Sequence, residues 1–182
     1  MIIVEGPDGG GKTTLLNKLQ AQFDLPVAPR VVSKDTEAMV DLVKWTEVNV
    51  GQGFQSELYD RHRLVSEPIY GSITRVTAQP GFDDPVWLQR MNFLFYEICE
   101  PLIIYCLPPL WTVVANVNKS MMDNAVVQPF IPKIYRLYAA KAASDVALAG
   151  SILYNYRDPY NLREIIDRVD TALRLGRNYR RA

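Results

Sequence analysis

The residue types that could do chemistry are densest near the amino end. Gly6-Pro7-Asp8-Gly9-Gly10-Gly11-Lys12-Thr13 fits the pattern G-x-x-x-x-G-K-[ST]. Glycines let a backbone turn through positive φ and come close to an anion. The amides of such a loop, with the N-terminus of a following helix, form a nest for phosphate oxygens. Lys12 brings a positive charge to the β- and γ-phosphates, and Thr13 offers a hydroxyl to Mg²⁺. The pattern implies a bound nucleoside triphosphate and leaves its reaction open.

A second cluster is Asp60-Arg61-His62. A carboxylate there could hold Mg²⁺ through water or take a proton from an acceptor hydroxyl. The adjacent arginine could grip a phosphate through its planar fork. A third is the turn Tyr156-Arg157-Asp158-Pro159, which is placed to meet adenine. Arg30, Lys34, Arg75 and Arg90 are further cations within reach of an acceptor phosphate, or ordinary surface charges. Trp45, Trp87, Phe93 and Tyr96 could stack on a base, although aromatics at helical spacing more often belong to a core.

The elements that would position these groups alternate. Met1–Val4 reads as a strand, and Leu15, Leu16, Leu19 and Phe23 recur at helical spacing after the glycine loop. Val27–Ser33 reads as a second strand, followed by a helix from Asp35 or Thr36 to about Val48. Phe54–Tyr59 leads into Asp60, and a helix over about Val65–Val76 contains Pro68. After the turn Gln79-Pro80-Gly81, Asp83 or Asp84 caps a helix whose apolar face is Trp87, Met91, Leu94, Phe95 and Ile98. Leu102–Leu107 is the most apolar strand and the expected centre of the sheet. Leu110–Asn118 looks helical, and Lys119–Phe130 looks like a mobile, lid-like loop. A helix over Ile131–Ala149, a strand over Ser151–Tyr156 and a last helix complete the chain; Leu162, Ile165, Ile166, Val169 and Leu173 line that last helix. This alternation predicts a single α/β domain, residues 1–182, with a parallel sheet, helices on both faces, and the ligand at the carboxyl ends of the strands.

Composition narrows the classes. The chain has 182 residues, 48% hydrophobic and 22% charged, which is globular. Lys plus Arg and Asp plus Glu are 20 each, so no overall basic field argues for nucleic acid. Arg174, Arg177, Arg180 and Arg181 make the end locally basic and read as a solvated terminus. Cys99 and Cys106 read as two buried thiols, and His62 is the single histidine, without metal-ligand spacing. No apolar run nears the ~20 residues of a membrane span and the first residues do not read as a leader, so a cytoplasmic protein is expected.

Glu5-Gly6-Pro7-Asp8-Gly9-Gly10-Gly11-Lys12-Thr13-Thr14 resembles the opening of the thymidylate kinases, which reads E-G-x-D-G-x-G-K-T-T. Asp60-Arg61-His62, with Ser66 and Tyr70 downstream, resembles that family's D-R-[YH] stretch, and Ile104-Tyr105 before a proline pair is similar to its later strand. The resemblance implies a P-loop, nucleoside monophosphate kinase-like fold that moves the γ-phosphoryl of ATP onto a deoxynucleoside monophosphate with Mg²⁺. It implies ATP at Gly6, Asp8, Gly9, Gly10, Gly11, Lys12, Thr13 and Thr14. It places Asp8 near the acceptor sugar, Asp60 at Mg²⁺ or the acceptor, Arg61 on the acceptor phosphate, and Ser66 and Tyr70 along the acceptor pocket. His62 then reads as structural, because the family accepts tyrosine there. The partner expected is a small-molecule nucleotide or nucleoside, with room for a homodimer and none for a membrane.

The chain also departs from that family. The stretch before Asp60 is shorter, which leaves the base open. The family's lid carries arginines, whereas Asn116-Val117-Asn118-Lys119-Ser120 stands here, so Lys119 is the nearest substitute, with Lys133 and Arg136 next. A deoxynucleoside kinase is the nearest alternative; its base would be Asp60, Glu57 or Glu67. A kinase acting on DNA is a third reading. A GTP-dependent switch is disfavoured, because Asn118-Lys119-Ser120 is followed by Met121 where N-K-x-D needs a carboxylate.

Overall fold

The computed structural model describes residues 1–28, 42–52, 57–74, 81–119, 127–149 and 151–179. Outside them lie Arg30, Lys34 and Arg75, most of the expected second strand, the start of the helix after it, and residues 120–126 of the expected lid.

Strand β1 (Ile2–Glu5) is wholly buried and central. It pairs in parallel with β2 (Leu58–Asp60) on one side and β3 (Leu102–Cys106) on the other. Strand β4 (Ile152–Tyr154) pairs in parallel with β3, so the order is β2-β1-β3-β4. Val27, where the second strand was expected to begin, makes one isolated parallel bridge to Leu58. β4 is shorter than the expected Ser151–Tyr156, because the Asn155 amide donates to the Asn161 side chain and the chain turns there.

Alternate residues of the strands feed two cores, which is why these strands read as continuous apolar runs. Ile3, Tyr59, Ile103 and Tyr105 pack with residues of α3 (Arg63–Thr74), α4 (Pro85–Phe93) and its extension, and α6 (Ile131–Ala149). Ile2, Val4, Leu58, Ile104 and Cys106 pack against α1 (Lys12–Phe23) and α7 (Asn161–Tyr179). Each fully buried aliphatic side chain contributes about 1.5–3 kcal/mol. α2 (Leu42–Gly51) closes the first core with Val50, and α5 (Leu110–Lys119) packs on α6 through Val113, Val117 and Ile131.

Two expectations are corrected. α3 starts at Arg63 rather than Val65 and carries Pro68 within it. The apolar face of α4 does not run on to Ile98. Asp84 caps this helix by accepting from the Val86 and Trp87 amides, but residues Leu94–Ile98 form a π-helical turn, with the Cys99 amide donating to Leu94 O at 2.9 Å. The extra residue in that turn rotates the end of the helix, so Cys99 enters the core at 2% exposure while Ile98 stands 62% exposed. At the ends of the segment expected to be a lid, Lys119 is the last residue of α5, and Gln128–Phe130 form a 3₁₀ turn leading into α6. Among the described residues no helix is long and apolar enough to cross a membrane.

Candidate active site

β1 ends on Glu5 and β2 on Asp60, so the glycine loop and the Asp60-Arg61 turn leave adjacent strands at the same edge. Gly6 has φ 136°, and a Cβ built there would lie 2.6 Å from Cys106 O, so no other residue fits between β1 and β3. Gly11 has φ 90° and opens α1; a Cβ there would meet the Tyr156 ring at 2.8 Å. Asn116 on α5 donates from Nδ2 to Gly9 O and to Tyr156 Oη, each at 2.9 Å. The loop is thus clasped by α5 and by the turn after β4.

Lys12, first residue of α1, is only 8% exposed. Its Nζ donates to Pro7 O at 2.8 Å and lies 3.9 Å from an Asp8 oxygen. Burial, and then the Arg61 charge, push its pKa down to about 8, although Asp8 and Asp60 pull it back up. An arriving polyanion would offer this ammonium the charge that the fold supplies only in part.

Arg61 has φ 68°, unusual for a residue with a Cβ. Two bonds hold that conformation: the Arg61 amide donates to Val4 O at 3.0 Å, and the His62 amide donates to Glu5 Oε1 at 2.7 Å. The guanidinium is thereby swung over the glycine loop. Its Nη2 donates to Asp8 Oδ1 (2.5 Å), Tyr70 Oη (2.7 Å) and Gly6 O (3.3 Å), and its carbon lies 4.5 Å from the centre of the Tyr70 ring. Tyr70 Oη also accepts from the Asp8 amide at 3.1 Å. Burial works against this cation, but Tyr70, Tyr138, Asp8 and Glu5 outweigh it and keep it charged. Asp60 Oδ1 is buried without a hydrogen-bond partner among the described residues.

The structure therefore brings Asp8, Lys12, Arg61 and Tyr70 into one contact network, with Asp60 beside it. Among the described residues Ser66 has no bond to that network; its hydroxyl donates to His62 O at 3.1 Å. Lys119 is exposed at the end of α5, one turn beyond Asn116. Arg157 is exposed, with its guanidinium carbon 4.2 Å from the centre of the Trp111 ring. Among the aromatic candidates, Phe93 is 58% exposed and belongs to neither core, while the Trp87 indole donates to Glu47.

Two neighbours of the site were not assigned a role from sequence. Glu5 is completely buried; besides the His62 amide it accepts Tyr138 Oη–H at 3.0 Å, and burial raises its pKa to about 7. A charged residue ending an otherwise apolar strand was the available signal. Asn116 stood in the stretch that replaces the lid arginines, yet nothing in its spacing revealed the bond to Gly9. His62 is buried against Phe95, with ring centres 4.6 Å apart, and burial, then the Arg63 charge, lower its pKa to about 3.

Glu5 and His62 make opposite contributions to pH dependence. The Glu5 carboxyl is raised from 4.5 to about 7, so its stabilisation is full below pH 4.5 and lost as pH rises through 7. His62 is lowered from 6.5 to about 3, so its stabilisation is full above pH 6.5 and lost as pH falls through 3. Between pH 4.5 and 6.5 the two slopes, each about 1.4 kcal/mol per pH unit, oppose each other. His62→Phe is expected to unmask a stability that falls from pH 4.5 to 7, and Glu5→Gln one that rises from pH 3 to 6.5. Thermal melts of both variants across that range check this; parallel profiles would contradict it.

No protein-family model matches the chain, and no curated protein matches it. Solved structures do. The Bacillus subtilis YorR protein, in complex with phosphorylated GDP, is 16% identical with a TM-score of 0.66 over 97% of each chain. Deoxyadenosine kinase from M. mycoides with bound dATP is 10% identical with a TM-score of 0.59, over 93% of this chain and 98% of that one. The same kinase with bound dCTP gives 12% and 0.57, over 94% and 100%. At these identities the likeness establishes architecture: the fold is a P-loop kinase-like α/β fold.

Proposed function

We propose that the chain is a single-domain, Mg-ATP-dependent phosphotransferase that moves the γ-phosphoryl of ATP onto a deoxynucleoside monophosphate. One observation carries the reading: Lys12 and the Asp60-Arg61 pair converge on one loop at the carboxyl edge of the sheet. A donor tail on the loop amides would then present its outermost phosphorus towards Arg61 and Asp60. Catalysis there is positioning plus charge neutralisation.

The residues present fit Mg²⁺. Among the described residues no group of three His, Cys, Asp or Glu side chains could form an all-protein metal cage. Mg²⁺ in kinase sites instead takes one or two carboxylates, phosphate oxygens and water. Asp60, with its unpartnered buried oxygen, and Thr13 would hold it. When bound it supplies charge neutralisation at the transferring phosphate. Thr14 and the loop amides would bind the donor phosphates, and Arg157 would meet its base.

On the acceptor side Arg61 would exchange its bond to Asp8 for the acceptor phosphate, freeing Asp8 to meet the sugar. Tyr70 would line that pocket beside Ser66, with Arg30 as a further cation. A free deoxynucleoside as acceptor is a second reading, favoured by the same unpartnered Asp60 oxygen, which could take a hydroxyl proton. ADP release with each nucleoside and each monophosphate, against a no-acceptor control, tests both. Turnover that depends on a monophosphate supports the first; turnover indifferent to any acceptor sinks both.

The segment at about 119–130 would act as a lid, with Lys119 in place of the family's arginines. Lys119→Ala is then expected to slow transfer about tenfold with KM for ATP little changed, the loss of one electrostatic contact made in the transition state. An unchanged kcat would pass the role to Lys133 or Arg136.

A further inference from the structure

We infer that the donor site grips the base of the triphosphate by stacking at Trp111 and Arg157 and reads none of its edges, so that purine and pyrimidine triphosphates all serve as phosphoryl donors. The inference rests on the triphosphate-loop reading above and adds what that reading leaves open, the selectivity for the donor base.

Three observations converge. First, the pair lies at the outer end of a continuous chain from the loop. Gly9 O binds Asn116, Asn116 binds Tyr156, and the Tyr156 ring abuts Gly11. Trp111 lies one turn before Ala115 and Asn116 on α5, and Arg157 directly follows Tyr156. A nucleotide whose phosphates sit on Gly9 and Gly11 therefore extends towards Trp111 and Arg157.

Second, Trp111 is an indole left 61% exposed, with a guanidinium carbon 4.2 Å from its ring centre. Indole and guanidinium both offer flat faces to a π-system, and every nucleobase has such a face.

Third, the turn after β4 has no amide to spare for a base edge between Arg157 and Asn161. The Arg157 amide donates to Asn155 Oδ1 and the Asp158 amide to Asn155 O. Pro159 has no N–H. The Tyr160 amide donates to Asp158 Oδ1 and the Asn161 amide to Asp158 O. Asn155 Oδ1, Asp158 Oδ1 and Asn161 Oδ1 are engaged by the same turn, the last by the Asn155 amide. Selection between bases of similar size needs hydrogen-bonding groups that one base satisfies and another leaves unpaired. The described residues of this turn supply stacking instead.

The test uses the full chain. Trp45→Phe/Trp87→Phe leaves Trp111 as the one indole, whose fluorescence then reports base stacking. Non-hydrolysable analogues of ATP, GTP, CTP and UTP are expected to quench it with dissociation constants within about tenfold of one another, and inorganic tripolyphosphate to bind without that quench. In the otherwise unaltered protein, Trp111→Ala should weaken all four analogues on the order of tenfold and alike, and leave tripolyphosphate binding unchanged. Trp111→Phe should restore most of the loss. An ATP preference above a hundredfold, or full affinity in Trp111→Ala, overturns the inference while the triphosphate loop stands. Failure of every analogue and of tripolyphosphate to bind overturns the loop reading itself.

Discussion

Lys12→Ala is expected to lower ATP turnover about a thousandfold, the loss that comes with removal of one preorganised electrostatic contact to a developing charge. The same substitution should leave the fold intact and raise its melting temperature. In the empty site the ammonium is buried, with Pro7 O as its hydrogen-bond acceptor and Asp8 at 3.9 Å. Burial and Arg61 bring its pKa from 10.5 down to about 8. Keeping it charged at pH 7 therefore costs the native state about 3 kcal/mol. Removing it relieves that cost, a trade of stability against function of the kind binding sites carry. Lys12→Met, which keeps the volume of the stem, should show the same gain with less risk of a cavity. ADP release at saturating acceptor, together with melts at pH 7, measures both effects. Retained turnover would refute the site; a large loss of stability in both variants would refute the electrostatic account of the lysine.

The second large effect is expected at Asp60. Asp60→Asn should cut kcat at least a hundredfold while moving KM for ATP by less than about threefold, as removal of a general base or metal-holding carboxylate does. The two side chains have the same shape, so packing beside β1 is preserved. The unpartnered Oδ1 loses its charge and, with it, the capacity to hold Mg²⁺ or take a proton. In the proposed reading ATP would meet the loop amides and Lys12, which this change leaves in place. The split between kcat and KM is thus the diagnostic: an equal loss in both would mean that Asp60 acts on ground-state binding alone. A Mg²⁺ titration of the variant separates the two roles, since a weakened metal site demands more Mg²⁺ and a lost base does not.

Much of the architecture was legible because it depends on local patterns. Apolar runs of strand length before Gly6 and after Pro101, each bounded by glycine or proline, became β1 and β3. The i, i+4 rows of α1 and α7 became helices that cover one face of the sheet. Where the reading failed, a single nonlocal or irregular feature was responsible. A π-helical turn carries no periodic signature, so Ile98 was placed on the wrong side of its helix. Side chain-to-backbone capture by Asn161 shortened β4, and nothing in the local pattern of Ser151–Tyr156 marks it.

The conformation of the glycine loop was legible in the sequence alone, because it lies in the backbone: glycines at set spacing, followed by Lys12 on the first turn of a helix, leave few other conformations. The presence of a carboxylate and an arginine after β2 was equally visible. Their arrangement was decided by the tertiary structure. Arg61 meets Asp8 and Tyr70 because β2 lies beside β1 and because Glu5 and Val4 hold the turn at positive φ. Asn116 and Tyr156 meet the glycine loop because α5 and the turn after β4 both pack against it. Contacts spanning 40 to 107 residues of chain leave no trace in local spacing. They arise only when a parallel sheet, whose neighbouring strands are distant in sequence, brings their ends together.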